Sequence, residues 1–268
     1  MRMKIHYQNL SSHHKRFQKL NDNNKIIEII GPPGVGKTTL YNHLCETWSP
    51  VCNWTHLNAL QIKKPQFSDF NKWFFYNLKR ILKKKGTSTI PVEFGMRFIN
   101  EHKELADFCW QFLADVYKDD IDKRFRLAYF LFADFSKYQM IIEDKFELPC
   151  FLNEGLMQKS FFVDDENGNL YAKMEQYLSL VPLPYAVINI DIKNIDVIVE
   201  RILNRKKVIA SHIGKTDADL RQNIIKWQET FTAMSELVHR KGVKVFNLDG
   251  ENSIQENVAY IKYELNMA

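Results

Sequence analysis

The chain has 268 residues, a formal net charge of +5 at pH 7, 45% hydrophobic and 26% charged residues. That length holds one large α/β domain or two small ones and buries a sizeable core, in a composition ordinary for a soluble globular protein. The mild positive charge favours an anionic ligand without demanding nucleic acid.

Residues 1–24 are polar and basic, with His13-His14-Lys15-Arg16 and an Asn/Asp cluster at 21–24. They read as an extension outside the main sheet, with room for one short helix carrying Leu10, Phe17 and Leu20. The start lacks the apolar stretch of a signal peptide.

The apolar run Ile26-Ile27-Glu28-Ile29-Ile30 follows and reads as a buried strand. It leads directly into Gly31-Pro32-Pro33-Gly34-Val35-Gly36-Lys37-Thr38, the pattern G-x-x-x-x-G-K-[ST], and then into helix-compatible residues from Thr38 to Cys45. A strand, a glycine turn and an immediate helix are the context a phosphate-binding loop requires. Successive backbone N–H groups converge on an anion, and the helix points its positive end at the same place. Gly31, Gly34 and Gly36 suit positive φ and close backbone approach. Pro33, Val35 and Thr39 complete the loop and its first turn. Lys37 can set a cation against the β- and γ-phosphates, and Thr38 offers a hydroxyl to Mg²⁺. Glu28, mid-strand among apolar residues, requires a partner that the sequence does not name.

A weak strand signal lies near 51–56. The stretch 58–147 is rich in aromatics and charges. Phe70, Trp73, Phe74, Leu78 and Ile81, then Phe98, Leu105, Phe108 and Phe112, then Phe125, Tyr129, Phe132 and Phe135 recur at helical spacing. They predict three or four amphipathic helices inserted into the α/β core, supplying substrate walls and cover. The basic run at 79–85 reads as a solvated helix end. Arg97, Arg124 and Arg126 are candidates to grip an anionic acceptor, though each fits a plain surface charge equally well.

Further strands are expected at Leu148–Leu152, Tyr185–Asp191 and Val243–Leu248. Alternation with helices predicts a parallel sheet with right-handed crossovers. Glu154 sits just beyond the strand at 148–152, at the carboxyl edge where open α/β sheets bind ligands. There it could hold a metal-bound water or take a proton from an attacking hydroxyl. Arg201 and Arg205 are four apart on an expected helix and so share one face, with Lys206, Lys207, His212 and Lys215 beyond. One guanidinium could stack on a base while the other clamps phosphate. Thr216–Asp219 caps a long helix ended by Gly242, and Ser253-Ile254-Gln255-Glu256 is a capping box for the last helix. Asp249 and Gly250 form the turn after the last strand, also at the carboxyl edge.

Cys45, Cys52, Cys109 and Cys150 show neither disulfide nor metal spacing and read as reduced thiols of a cytoplasmic protein. The longest uncharged run, around 178–190, is too short to span a bilayer and contains Pro182 and Pro184.

Taken together, these motifs resemble the nucleoside and nucleotide kinase branch of P-loop proteins, in an arrangement like thymidylate, adenylate and gluconate kinases. The resemblance covers 25–45 and, more loosely, 148–268. Asn153-Glu154-Gly155 is similar to the Asp-Glu-Gly of bacterial kinase-like ATP-binding proteins, with Asn153 where Asp is common. An amide carries no charge and would polarise a metal-bound water less. The resemblance implies a three-layer P-loop α/β fold with a mostly parallel five-stranded sheet. It implies Arg201 stacked on adenine, Arg205 on phosphate, and Asp249 and Gly250 beside the base. The function expected is a Mg-ATP-dependent kinase of a sugar, nucleoside or nucleotide. Lys37, Glu154 and Arg205 would be catalytic, with Thr38 and Glu154 at Mg²⁺. The alternatives are a non-kinase P-loop ATPase or nucleotide switch and a polynucleotide 5′-hydroxyl kinase. No Asn-Lys-x-Asp is present and Asp165-Glu166-Asn167-Gly168 reads as a turn, which disfavours the switch; no Leu-Ser-Gly-Gly signature is present, which disfavours an ABC or AAA-type ATPase. Nucleic acid is a less favoured partner than a small acceptor, no membrane association is expected, and oligomeric state is open.

Overall fold

The computed structural model describes residues 25–61, 70, 71, 74, 90–144, 148–163, 170–205 and 215–266. The expectations for 1–24, for Trp73, Leu78 and Ile81, for the basic run at 79–85, for the turn at 165–168 and for Lys206, Lys207 and His212 lie outside them.

Five strands, β1 (Ile26–Ile30), β2 (Thr55–His56), β3 (Cys150–Asn153), β4 (Ala186–Asp191) and β5 (Lys244–Asp249), form one sheet in the order β2-β3-β1-β4-β5. Every pairing is parallel. This is the P-loop α/β fold the sequence predicts. The chain passes from β1 to the edge strand β2, steps back to β3 beside β1, and then crosses to β4 and β5 on the other side, so β1 ends at the topological switch point. The boundaries shift slightly from the expected ones. The weak strand near 51–56 shrinks to two residues at the edge, and β3 runs through Asn153.

Strand residues split by parity between two cores. Ile27 and Ile29 of β1 pack with Leu40, Leu44, Phe151, Ile188, Ile198, Ile224 and Ile261. These come from α1 (Lys37–Thr47), α7 (Ile195–Leu203), α8 (Asp217–Arg240) and α9 (Ile254–Glu264) together with β3 and β4. A short helix, α2 (Leu57–Gln61), follows β2. Ile26 and Ile30 face the opposite way, into a second core with Phe98, Leu105, Phe112, Phe135, Tyr138, Met174, Tyr177 and Met234. That side is built by α3 (Val92–Glu101), α4 (Lys103–Val116), α5 (Ile121–Ile142) and α6 (Leu170–Leu180), with the distal part of α8. Central strands buried on both faces carry a near-continuous β-branched run, as IIEII does apart from Glu28.

Three described helices occupy 92–142, in keeping with the predicted helical stretch. Of the predicted apolar stripe, Phe98, Leu105, Phe112 and Phe135 are buried and Phe108 is partly buried against the same core. Phe125 and Tyr129 are 67% and 70% exposed, whereas Leu131, Phe135, Tyr138 and Ile141 are buried. The first half of α5, residues 121–130, has no buried residue, and its inward face begins at Leu131. Both capping boxes form, at Thr216/Asp219 and Ser253/Glu256. Gly242, at φ 87, follows the end of α8.

Candidate active site

Gly31, Gly34 and Gly36 all have positive φ, at 138, 97 and 105. The turn needs them for space as well as for conformation. A Cβ on Gly31 would lie 2.1 Å from the Ile190 carbonyl oxygen, and one on Gly34 would lie 2.9 Å from a side-chain carbon of Ile198. The loop is therefore pressed against the ends of β4 and α7. Gly36 is the N-cap of α1 and no side chain caps the helix. The first amides of α1 thus remain available for an anion, backed by the helix dipole.

The Lys37 side chain is buried and folds over the loop. Its Nζ donates to Gly31 O (2.7 Å) and Pro32 O (2.9 Å) and lies 3.3 Å from Glu154 Oε1. Burial pushes its pKa below that of an ordinary lysine; Glu154 opposes the shift, and Arg205 and Lys159 reinforce it. Thr38 and Thr39 are exposed at the start of α1. Glu154 follows β3 with φ 59, a left-handed conformation rare for a glutamate. Burial acts to raise its carboxyl, but Lys37, Lys159 and Lys137 outweigh that and hold it below the usual carboxylate range. Asn153 Oδ1 is buried without a hydrogen-bond partner among the described residues.

Glu28 has the partners the sequence could not name. It is fully buried and accepts four hydrogen bonds, from Gly155 N (2.7 Å) and Gln158 N (2.7 Å) on Oε1, and from Met157 N (3.0 Å) and Tyr138 Oη (2.6 Å) on Oε2. Burial pushes its pKa up, and these bonds pull against the shift without cancelling it. Gln158 in turn grips Gly31 on both sides. Its Oε1 accepts from Gly31 N (3.0 Å) and its Nε2 donates to Gly31 O (3.1 Å). The central strand, the phosphate loop and the segment carrying Glu154 are thereby tied into one unit.

Arg201 and Asp249-Gly250 are brought together, since Arg201 Nη1 donates to Gly250 O at 3.0 Å. Gly250 sits against the phosphate loop, where a Cβ would meet Val35 O at 2.5 Å. The shared helix face expected of Arg201 and Arg205 is not found. α7 ends at Leu203 with Asn204 as its C-cap, because Arg205 N–H already bonds back to Ile202 O. Arg205 lies past the helix, near enough to Lys37 for its charge to act there. Of the candidate acceptor arginines, Arg97 forms a double hydrogen bond with Glu143 (2.7 Å each) and stacks on Phe94. Arg124 lies over Phe125, and Arg126 is exposed.

Asp134, Lys137, Tyr138, Gln158 and Lys159 are the site residues that sequence reading missed. Asp134, Lys137 and Tyr138 share one face at i, i+3 and i+4, but the aromatic pattern of α5 hid the polar one.

The donor chemistry fits Mg²⁺. This ion takes few protein oxygens and fills its shell with water and substrate phosphate. Thr38 supplies a hydroxyl and Glu154 a carboxylate, and among the described residues no group of three or more His, Cys, Asp or Glu forms a self-sufficient metal site.

No protein-family model and no curated protein sequence matches the chain. Among solved structures it is similar to deoxyadenosine kinase from M. mycoides with bound dCTP, at 15% identity and a TM-score of 0.44 over 90% of this chain and 98% of that one.

Proposed function

We propose that the chain is a Mg-ATP-dependent phosphotransferase acting on a small hydroxyl- or phosphate-bearing acceptor such as a sugar, nucleoside or nucleotide. One observation carries this reading. A glycine loop with three positive φ angles runs into an uncapped helix, and its lysine lies 3.3 Å from an acidic residue at the carboxyl edge of a parallel sheet. The loop and α1 amides would grip the triphosphate. Lys37 would exchange its loop carbonyls for β- and γ-phosphate oxygens and, with Arg205, stabilise charge developing in the transition state. Thr38 and Glu154 would hold Mg²⁺, whose chemistry is neutralisation of the phosphate oxygens. Glu154, kept ionised by its lysine neighbours, would orient the acceptor hydroxyl or take up its proton as the acceptor oxygen bonds to the γ-phosphorus and the bond from that phosphorus to the departing ADP breaks. Arg201, Asp249 and Gly250 would border the base. Four free thiols suit the expected cytoplasmic setting.

The test is ATP consumption against a panel of sugars, nucleosides, nucleotides and oligonucleotides. Lys37→Ala should abolish nucleotide binding, and Glu154→Gln should bind ATP while losing about a hundredfold in rate. Normal turnover by Glu154→Gln would remove the catalytic assignment. ATP hydrolysis without any acceptor would favour a nucleotide switch.

A further inference from the structure

One turn of α5 does work that none of the roles above uses. Asp134 is 1% exposed and cannot meet a ligand. Its carboxylate holds two lysines from different elements: Lys137 Nζ lies 2.5 Å from Oδ1, and Lys159 Nζ, on the 3₁₀ helix Gln158–Val163, lies 3.1 Å from Oδ2. Lys137 Nζ also donates to the Glu154 backbone carbonyl at 3.3 Å. Lys159 lies close enough for its charge to act on Glu154.

These contacts fall on Glu154, the one non-glycine residue of the site with a positive φ among the described residues. A left-handed glutamate persists only where its surroundings over-determine it. The Glu154 N–H donates to Ile29 O (3.2 Å), its carbonyl accepts from Lys137, and the next amide, Gly155 N, donates to Glu28 (2.7 Å). The charged groups around it are Lys37, Lys137, Lys159, Asp134 and Glu28, with Arg205 beyond Lys37. Without Asp134, two largely buried ammonium groups would repel each other and turn to the neighbouring Glu154 carboxylate, already paired with Lys37. Lys137 would leave the carbonyl, and Lys159 would compete with Lys37. Stapling α5 to the sheet does not need Asp134, because the Tyr138–Glu28 hydrogen bond already does it.

We propose that Asp134 is a positioning residue that, through Lys137 and Lys159, fixes the left-handed backbone of Glu154 and aims its carboxylate at the phosphate loop. The proposal rests on the reading of Glu154 as a working carboxylate.

The test is a double-mutant cycle on the full chain between Asp134→Asn and Glu154→Gln. It measures steady-state ATP consumption with the fastest acceptor of the panel, and affinity for a fluorescent ATP analogue. Asp134→Asn should lower kcat by about a hundredfold while changing analogue affinity less than about threefold, and should cost almost nothing further once residue 154 is Gln. A full loss in both backgrounds, or an equal loss of affinity, overturns the positioning role and leaves Glu154 in place. An unimpaired Glu154→Gln single variant instead removes the catalytic reading on which the proposal stands. If Asp134→Asn does not fold, Lys159→Met takes its place in the cycle. Lys159→Arg should then recover at least about tenfold of the loss, and no recovery overturns the proposal. A crystal structure of Asp134→Asn or Lys159→Met should show Glu154 out of the left-handed region or its carboxylate drawn off Lys37. An unmoved Glu154 overturns it.

Discussion

Glu28→Gln probes the joint that holds the site together. Four donors face the Glu28 carboxyl, and three of them are backbone amides, which cannot turn into acceptors. A carboxylate accepts all four. A protonated carboxyl also copes, because its hydroxyl can donate to Tyr138 Oη while the same oxygen still accepts from Met157 N. Glutamine cannot do this. Its oxygen, kept toward Gly155 and Gln158, accepts two bonds, and its nitrogen then confronts Met157 N–H with another donor. Tyr138 can rotate to accept; the Met157 amide is stranded. One buried N–H without a partner costs about 1–3 kcal/mol, and at a pH where Glu28 is ionised the change from charged to neutral acceptor also weakens the two surviving amide bonds. The neutral amide is cheaper to bury, which offsets part of the second loss. The expected net destabilisation is about 2 kcal/mol, read as a lower urea midpoint with unchanged slope. A variant within about 0.5 kcal/mol of the parent would show that this four-donor geometry does not form. The same residue sets a pH dependence. Its folded pKa is raised, so its contribution is fully present below the ordinary value of 4.5 and is lost as pH rises through the higher folded value. The gap between parent and Glu28→Gln should therefore narrow with rising pH across that window. A gap that widens contradicts the sign.

Three further outcomes follow from contacts around the loop. Gly250→Ala places a Cβ 2.5 Å from Val35 O, so the turn must back away from the phosphate loop; nucleotide affinity should fall at least about tenfold, measured by calorimetry. Gln158→Leu leaves the Gly31 N–H unpaired and the Gly31 carbonyl with Lys37 alone, and should lower the melting temperature by several degrees, about 2 kcal/mol, with a parallel loss of nucleotide affinity. Arg97→Ala removes an exposed ion pair with Glu143 and a stacking contact on Phe94, and should leave the urea midpoint and ATP turnover nearly unaltered. A large rate loss in that variant would restore Arg97 to the acceptor site.

The phosphate loop was legible because its requirements are local. Glycines at positive φ, a lysine and a hydroxyl at fixed offsets, and a strand and helix on either side are all written within fifteen residues. The parallel sheet was legible for a similar reason, since a strand buried on both faces must be apolar throughout, as Ile26–Ile30 is apart from Glu28. Capping boxes at 216 and 253 are local as well. Glu28 announced that it needed partners, but those partners stand at 138 and 155–158, more than a hundred residues away. No spacing rule reaches that far. Asp134 and Lys137 lay unread inside a helix whose aromatics suggested a different inward face, and the end of α7 at Leu203 undid a face shared by Arg201 and Arg205. Short-range geometry thus determined where an anion can be gripped. Only folding decided which charges surround that grip, because a buried charge needs a counter-charge or a hydrogen-bond partner, and those of Glu28, Glu154 and Lys159 come from distant parts of the chain.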